Sequence, residues 1–202
     1  MRRMHPDMTD RQTIGIYSAR AEEYVTLKPA KAQEDALAGF LGAVVPGGHI
    51  LDLGCGPGLH AETMQAAGFR VTAFDATPDF VEAARARGID ARLATFDDLN
   101  AAACYDGIWA SFSLLHAPRA DFPRHLAACH RALTPGGILF LGLKLGEGEA
   151  RDAIGRFYSY YSEAELCQAL GIAGFSAITA TTGAAPGLAG NVDPFILMSA
   201  RA

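Results

Sequence analysis

Leu51-Asp52-Leu53-Gly54-Cys55-Gly56-Pro57-Gly58 decides the fold of this chain, because an apolar run stops there at three closely spaced glycines with no bulky side chain between them. Main chain without Cβ atoms lets a ligand approach closely. The run from His49 to Leu53 reads as a buried parallel strand, and Leu59, Met64 and Ala67 carry helical apolar spacing, so the segment is strand, tight turn and helix. Gly-x-Gly alone is a weak sign of a ligand, since glycine turns also serve steric ends. A second apolar run, Phe69 to Phe74, ends in Asp75 about 20 residues on, where a nucleotide-binding sheet places an acid to accept from both ribose hydroxyls.

Around this unit, strand and helix patterns alternate, which predicts a parallel sheet with crossover helices. Ile14 to Val25 and Gln33 to Val44 read as helices ahead of the first strand. Thr77-Pro78 caps and starts a helix that runs to Arg87 and stops at Gly88. Asp90 to Ala94 and Tyr105 to Ser111 read as the third and fourth strands. A helix from Arg119 to Leu133 leads through Thr134-Pro135-Gly136-Gly137 into a fifth strand, Ile138 to Leu145. Ser162 to Glu165 is a capping box opening another helix. Phe175 to Thr181 and Pro194 to Ala200 form a closing hairpin, joined through the small-residue stretch Gly183 to Gly190, which reads as a mobile connection.

Two cofactor classes use such a layout. A dinucleotide enzyme prefers Gly-x-Gly-x-x-Gly, whose third glycine lets the helix pack close beneath a pyrophosphate; here that position is the bulky Leu59. Asp52 would repel a pyrophosphate but could hold an ammonium group. S-adenosylmethionine carries an ammonium, a carboxylate and a sulfonium, and no phosphate.

At Ile50 to Gly58, Asp75 and Leu133-Thr134-Pro135-Gly136-Gly137-Ile138-Leu139 the chain resembles the class I S-adenosylmethionine-dependent methyltransferases. The resemblance implies a Rossmann-like α/β fold with helices on both faces of a seven-stranded sheet, ordered 3-2-1-4-5-7-6 with the last strand antiparallel. It also implies S-adenosylmethionine as cofactor and S-adenosylhomocysteine as product. Asp106 to Ala110, Leu114-Leu115-His116 and the stretch Lys144 to Asp152 look more narrowly like the small bacterial methyltransferases of the tellurite-resistance-like group.

Ligands of such sheets lie beyond the carboxyl ends of the strands, which converts sequence position into candidate contacts. For the cofactor these are Asp52, Gly54, Cys55, Gly56 and Gly58 at the first strand, with Cys55 filling a narrow space in the turn; Asp75 and Ala76 at the second; Phe96 at the third; Ala110 and Ser111 at the fourth. Phe96 offers an amide and an apolar surface to adenine, because Thr95 stands where the commonest family pattern has an acid; Asp97 and Asp98 then lie at the rim or cap the next turn. In resembling enzymes a tyrosine of the N-terminal segment closes over the methionine end, which makes Tyr24 a cofactor candidate and Tyr17 a substrate candidate.

Methyl transfer to a good nucleophile needs alignment above all, and a base only when the acceptor carries a proton. His116, following the fourth strand, is the catalytic candidate; its other reading is a histidine that orients the next helix ahead of Pro118. Lys144, Arg151, Arg156 and Tyr158 fall in a segment that mixes cations with aromatics, as a lid over a small, anionic substrate would; the other reading is a charged turn in which Glu147, Glu149 and Asp152 pair the cations.

Bulk properties predict one domain over residues 1–202, since 202 residues, half of them apolar, build one large core; the resemblance implies that it is a methyltransferase domain, with 1–45 as a helical cover or lid. The net charge of −5 argues against a nucleic-acid partner. No apolar run approaches the ~20 residues of a membrane span. The four cysteines lack Cys-x-x-Cys spacing and the six histidines are dispersed, which argues for a reducing cytoplasm and against a metal. The expected function is methylation of a small molecule: a metabolite, thiol or metalloid oxyanion. A non-catalytic S-adenosylmethionine-binding regulatory module and a nicotinamide-dependent oxidoreductase are the alternatives. Oligomeric state has no signature in the chain.

Overall fold

The central strands, His49–Leu53, Arg70–Asp75, Tyr105–Ser111 and Leu133–Lys144, are apolar on both faces and must be covered on each by helices, which is the condition of a parallel sheet. The structure, a computed structural model describing residues 10–26, 31–186, 190 and 192–202, contains in chain order α1 (Arg11–Ala19), α2 (Ala21–Thr26), α3 (Lys31–Ala43), β1 (His49–Leu53), α4 (Leu59–Ala66), β2 (Arg70–Asp75), α5 (Pro78–Ala86), β3 (Asp90–Leu93), β4 (Tyr105–Ser111), α6 (Phe122–Ala132), β5 (Leu133–Lys144), β6 (Glu149–Arg151), β7 (Phe157–Ser159), α7 (Glu163–Ile172), β8 (Ser176–Pro186) and β9 (Val192–Arg201). Seven strands form one sheet in the order β3-β2-β1-β4-β5-β9-β8, with β1 to β5 parallel and β9 antiparallel to both its neighbours. This is the expected 3-2-1-4-5-7-6 order and the Rossmann-like methyltransferase fold, once the separate β6–β7 hairpin is set aside.

Neighbouring residues of each strand feed opposite cores. Ile50, Val71, Ala73, Trp109 and Phe140 meet Leu37, Phe40, Met64, Val81 and Ala84 of α3, α4 and α5. Leu51, Leu53, Ile108, Ala110, Leu139 and Leu141 meet Leu126, Cys129, Leu166 and Leu170 of α6 and α7. Trp109 stacks on Phe140 with ring centroids 3.8 Å apart, so the centre of the sheet is closed by aromatic packing.

Several expected boundaries move. The helix read over Ile14 to Val25 is two helices parted at Arg20, a break marked by neither glycine nor proline. Thr77 precedes α5 but its side chain makes no cap bond, whereas Ser162 and Glu165 form the expected capping box. The helix expected from Arg119 starts at Phe122. Thr134 to Gly137 lie within β5, whose pairing with β4 is irregular between Tyr105 and Gly107. Gly183 to Pro186, expected as a mobile connection, continue β8, because Gly183 makes room for the Phe195 ring opposite, whose Cζ lies 2.5 Å from where a Cβ would stand. Residues 187–189 of that stretch lie outside the described residues.

Candidate functional site

At the carboxyl edge of the sheet the turn after β1 is tied to β2. The amides of Gly54 and Cys55 donate to the Phe74 carbonyl at 2.8 and 2.9 Å. Gly56 N–H donates to one carboxylate oxygen of Asp75 and Thr77 N–H to the other, both at 2.8 Å. Each oxygen has a further acceptor position, so the group is anchored without being exhausted. Burial raises the Asp75 pKa, opposed by those amide bonds.

The three glycines do different jobs. A Cβ on Gly54 would stand 2.2 Å from Ser113 Cβ, and one on Gly58 2.9 Å from Ala84 Cβ, so these two serve close packing. Gly56, at φ +54°, has open space where its Cβ would be. Of the three, Gly56 offers bare main chain to a ligand, where the sequence credited all of them with that role.

A cleft of about 620 Å³ opens over this turn. Its lining takes in Gly54, Cys55, Gly56, Asp75, Ala76, Phe96 and Ser111 at one end, and Tyr17, Tyr24, His116, Lys144, Arg156 and Tyr158 at the other. Four expected contacts lie elsewhere. Asp52 is 2% exposed beneath the turn, with Ala61 N–H bonded to its carboxyl and Oδ2 without a partner among the described residues; burial and then the Asp75 charge push its pKa up to about 8. Gly58 packs on α5, and Ala110 is fully buried in the core facing α6 and α7. Arg151 is exposed and paired with Asp10 at 2.9 Å. Cys55 is buried, and burial with the charges of Asp52 and Asp75 pushes its thiol up, so it stays a neutral filler of the turn. Asp98 accepts from the Thr95 amide and hydroxyl at 2.8 and 2.9 Å, while Asp97 lines the cleft paired with Arg124.

A polar chain crosses the other end. His116 Nδ1 lies 2.6 Å from the Phe157 carbonyl, which only accepts, so that nitrogen carries the proton and Nε2 accepts from Tyr17 Oη–H at 2.7 Å. Arg156 Nη1 in turn donates to Tyr17 Oη at 3.2 Å and to Tyr24 Oη at 3.3 Å. Arg156 is 2% exposed and held by Asp152, whose carboxyl, despite its burial, these bonds keep below the usual range. Burial, opposed by the Phe157 carbonyl and aided by Arg156 and Lys144, lowers the His116 pKa to about 4, so the ring is neutral at neutral pH.

α1 is stitched to the β6–β7 hairpin. Phe157 N–H donates to Thr13 Oγ1 at 2.8 Å, and the Arg151 guanidinium bridges to Asp10. Tyr17 and Tyr24 pack on Phe80 of α5 with ring centroids 5.7 and 5.4 Å away. Phe80, Asp152, Asp193 and Phe195 were not singled out as functional contacts. Only Asp152 carried a signal, its place four residues before Arg156.

Residues 50–137 match the family described as methyltransferase domain. The ubiquinone biosynthesis O-methyltransferase of Xanthomonas oryzae pv. oryzae is 39% identical over 103 residues, which cover 47% of this chain and 42% of the relative. The chain thus spans less than half the length of that curated relative. In three dimensions it resembles the 1,6-didemethyltoxoflavin-N1-methyltransferase of Burkholderia thailandensis, solved with its substrate and S-adenosylhomocysteine, with TM-score 0.75, 22% identity and coverage of 94% and 87% of the two chains. It also resembles the [4+2]-cyclase SpnF, with TM-score 0.67, 20% identity and coverage of 84% and 79%. Similarity at these identities shows a shared fold, and the cyclase illustrates that one fold hosts different activities. Among the described residues no helix is long and apolar enough to cross a membrane, and no group of three or more His, Cys, Asp or Glu could hold a metal ion.

Proposed function

We propose that the protein is an S-adenosylmethionine-dependent methyltransferase acting on a small molecule. The observation that carries this reading is Asp75: its carboxylate is fixed by two amides beside open main chain at Gly56, with an acceptor position left on each oxygen. That arrangement fits a ribose diol, and Leu59 in place of a third glycine fits a cofactor without a pyrophosphate. The methyltransferase-domain match over residues 50–137 and the S-adenosylhomocysteine-bound fold neighbour agree with it.

In this reading Asp75 takes the ribose, Ala76 and Phe96 flank the adenine, and Gly54, Cys55, Gly56 and Ser111 border the methionine end, beneath Tyr24. Asp52, covered by the turn and protonated at neutral pH, acts through the α4 backbone, where its carboxyl accepts from the Ala61 amide. The cofactor supplies an activated methyl group on a good leaving group; the chain's residues orient the acceptor and exclude water. The Tyr17–His116 pair is the proton acceptor. A weak base suffices there, because a hydroxyl oxygen becomes very acidic once a methyl group is being added to it, so the proton leaves downhill late in the transfer. Within the stretch 1–45 expected as a cover, α1 and α2 take that part, with Tyr17 and Tyr24 over the acceptor end, while α3 sends Leu37 and Phe40 into the core. The narrower likeness to the tellurite-resistance-like group leaves the acceptor to be argued from the pocket itself.

Calorimetric titration with S-adenosylmethionine, S-adenosylhomocysteine and NADH tests the reading. The first two should bind and NADH should not. Asp75→Ala should weaken both by tenfold or more, on the order of 1.5 to 3 kcal/mol, for the loss of bonds to a charged acceptor. An unchanged affinity removes Asp75 from the site. Binding without any methyl transfer into thiols, oxyanions or a cell extract would favour a regulatory module.

A further inference from the structure

The acceptor end of the cleft is charged on paper and neutral in fact. Among the described residues the lining of the whole cleft holds three Lys or Arg side chains, two of them at the acceptor end, and each is paired by the protein itself: Lys144 with Asp193 at 2.5 Å, Arg156 with Asp152 at 2.7 Å, and, toward Phe96, Arg124 with Asp97 and Asp121. The lining carboxylates are engaged as well. Asp193, Asp97 and Asp121 belong to those pairs, Asp10 holds Arg151, and Asp75 holds two amides. An anionic acceptor would have to share Lys144 or Arg156 with the carboxylate that already neutralises it, and would meet that carboxylate's like charge across the shared cation, so little net attraction is left for it.

The rings exclude the opposite sign. Tyr17 and Tyr158 would form two walls of an aromatic cage for an ammonium group. The protein's own cations already lie against them: Lys144 Nζ is 4.1 Å from the Tyr158 centroid, and the Arg156 guanidinium is 5.2 Å from Tyr158 and 5.5 Å from Tyr17. A cationic acceptor would meet two like charges at the surface it needs. What the walls still offer is ring edges and apolar area, from Tyr24, Phe80, Phe112 and Phe195. The polar group standing among them is the uncharged Tyr17–His116 pair, which can take a proton from a hydroxyl.

We infer that the acceptor is an uncharged, flat aromatic ring carrying a hydroxyl group, selected because the pocket has spent its cations on its own carboxylates and its ring faces on its own cations. This rests on the methyltransferase reading. The acceptor oxygen gives an electron pair to the methyl carbon, the carbon–sulfur bond breaks with its pair on sulfur, and the hydroxyl proton leaves by way of Tyr17 and His116 to solvent, so charge and atoms balance.

The test uses three probes of one shape on the full chain saturated with S-adenosylhomocysteine: methyl 3,4-dihydroxybenzoate, its free carboxylate, and dopamine, titrated by calorimetry. The neutral ester should bind at least tenfold tighter than either charged probe. Any smaller preference, including no binding by the ester, overturns the inference. Asp193→Asn, which releases Lys144, should shift the carboxylate-to-ester affinity ratio at least fivefold toward the carboxylate; an unmoved ratio in a folded variant also overturns it, and the wild-type panel decides alone if the variant does not fold. Absence of S-adenosylhomocysteine binding, measured first, sinks the methyltransferase reading instead, and the same panel on the free protein still tests the pocket.

Discussion

Asp52 shows how one residue can be legible in sequence for the right place and the wrong contact. Its position in the glycine turn pointed to a cationic ligand; the structure buries it under the turn with one oxygen unpartnered. An unfolded Asp titrates near 3.8, whereas burial and Asp75 raise the folded value to about 8. Below 3.8 both states hold the proton. Between 3.8 and 8 the unfolded chain releases it and the folded chain keeps it, so the folded state loses stability as pH rises, by up to about 1.4 kcal/mol per pH unit. Asp52→Asn keeps an oxygen for the Ala61 amide and removes this titration. Thermal melts of the two proteins should converge near pH 4 and separate toward pH 8 with the variant the more stable. Parallel curves would show that Asp52 is ionised in the folded protein.

At the scale of elements, what the sequence made legible was whatever is enforced locally. The strands β1, β2 and β4 are apolar runs ended by turn residues, and the capping box of α7 is a local hydrogen-bond pattern, so both follow from a few adjacent residues. The β6–β7 hairpin was not legible: Glu149–Arg151 and Phe157–Ser159 are three-residue strands, and their stability comes from α1, some 140 residues away in the chain, through Thr13 and Asp10. For the same reason Arg151 was read as a substrate ligand when its partner is Asp10, far off in the chain, whereas the pairing of Arg156 with Asp152 four residues before it is the charged-turn alternative that the sequence offered. Pairing across the fold is tertiary information. Thr13→Val tests this seam. It leaves the Phe157 N–H without an acceptor at a cost of about 1–3 kcal/mol, confined to α1 and the hairpin. Hydrogen exchange at Phe157 should accelerate tenfold or more while amides of β5 such as Leu141 keep their protection. Uniform acceleration across the sheet would mean that the seam supports the whole fold.

For the molecule as a whole, the sheet with its two cores is complete without the first helices: neither core contains a residue before Leu37. Phe80 is the exception that measures the attachment. It is 3% exposed yet belongs to neither core, and its ring partners are Tyr17 and Tyr24. α1 and α2 therefore lie over the carboxyl edge of a body whose two cores do not include them, which is the arrangement expected of a lid drawn from the weakly held end of the stability range. A chain beginning at Lys31 should unfold in one cooperative transition and lose acceptor binding while its strands persist. Its His116 should report the opening directly. Burial is the main cause of the depressed value near 4, so removing Tyr17 and exposing the ring should move the midpoint toward the ordinary 6.5. An NMR titration of the His116 ring protons in the two chains reads this shift. A midpoint that stays near 4 in the shortened chain would place the burial of His116 with Tyr158 and the β6–β7 hairpin, and the helices would then be a brace and not a lid.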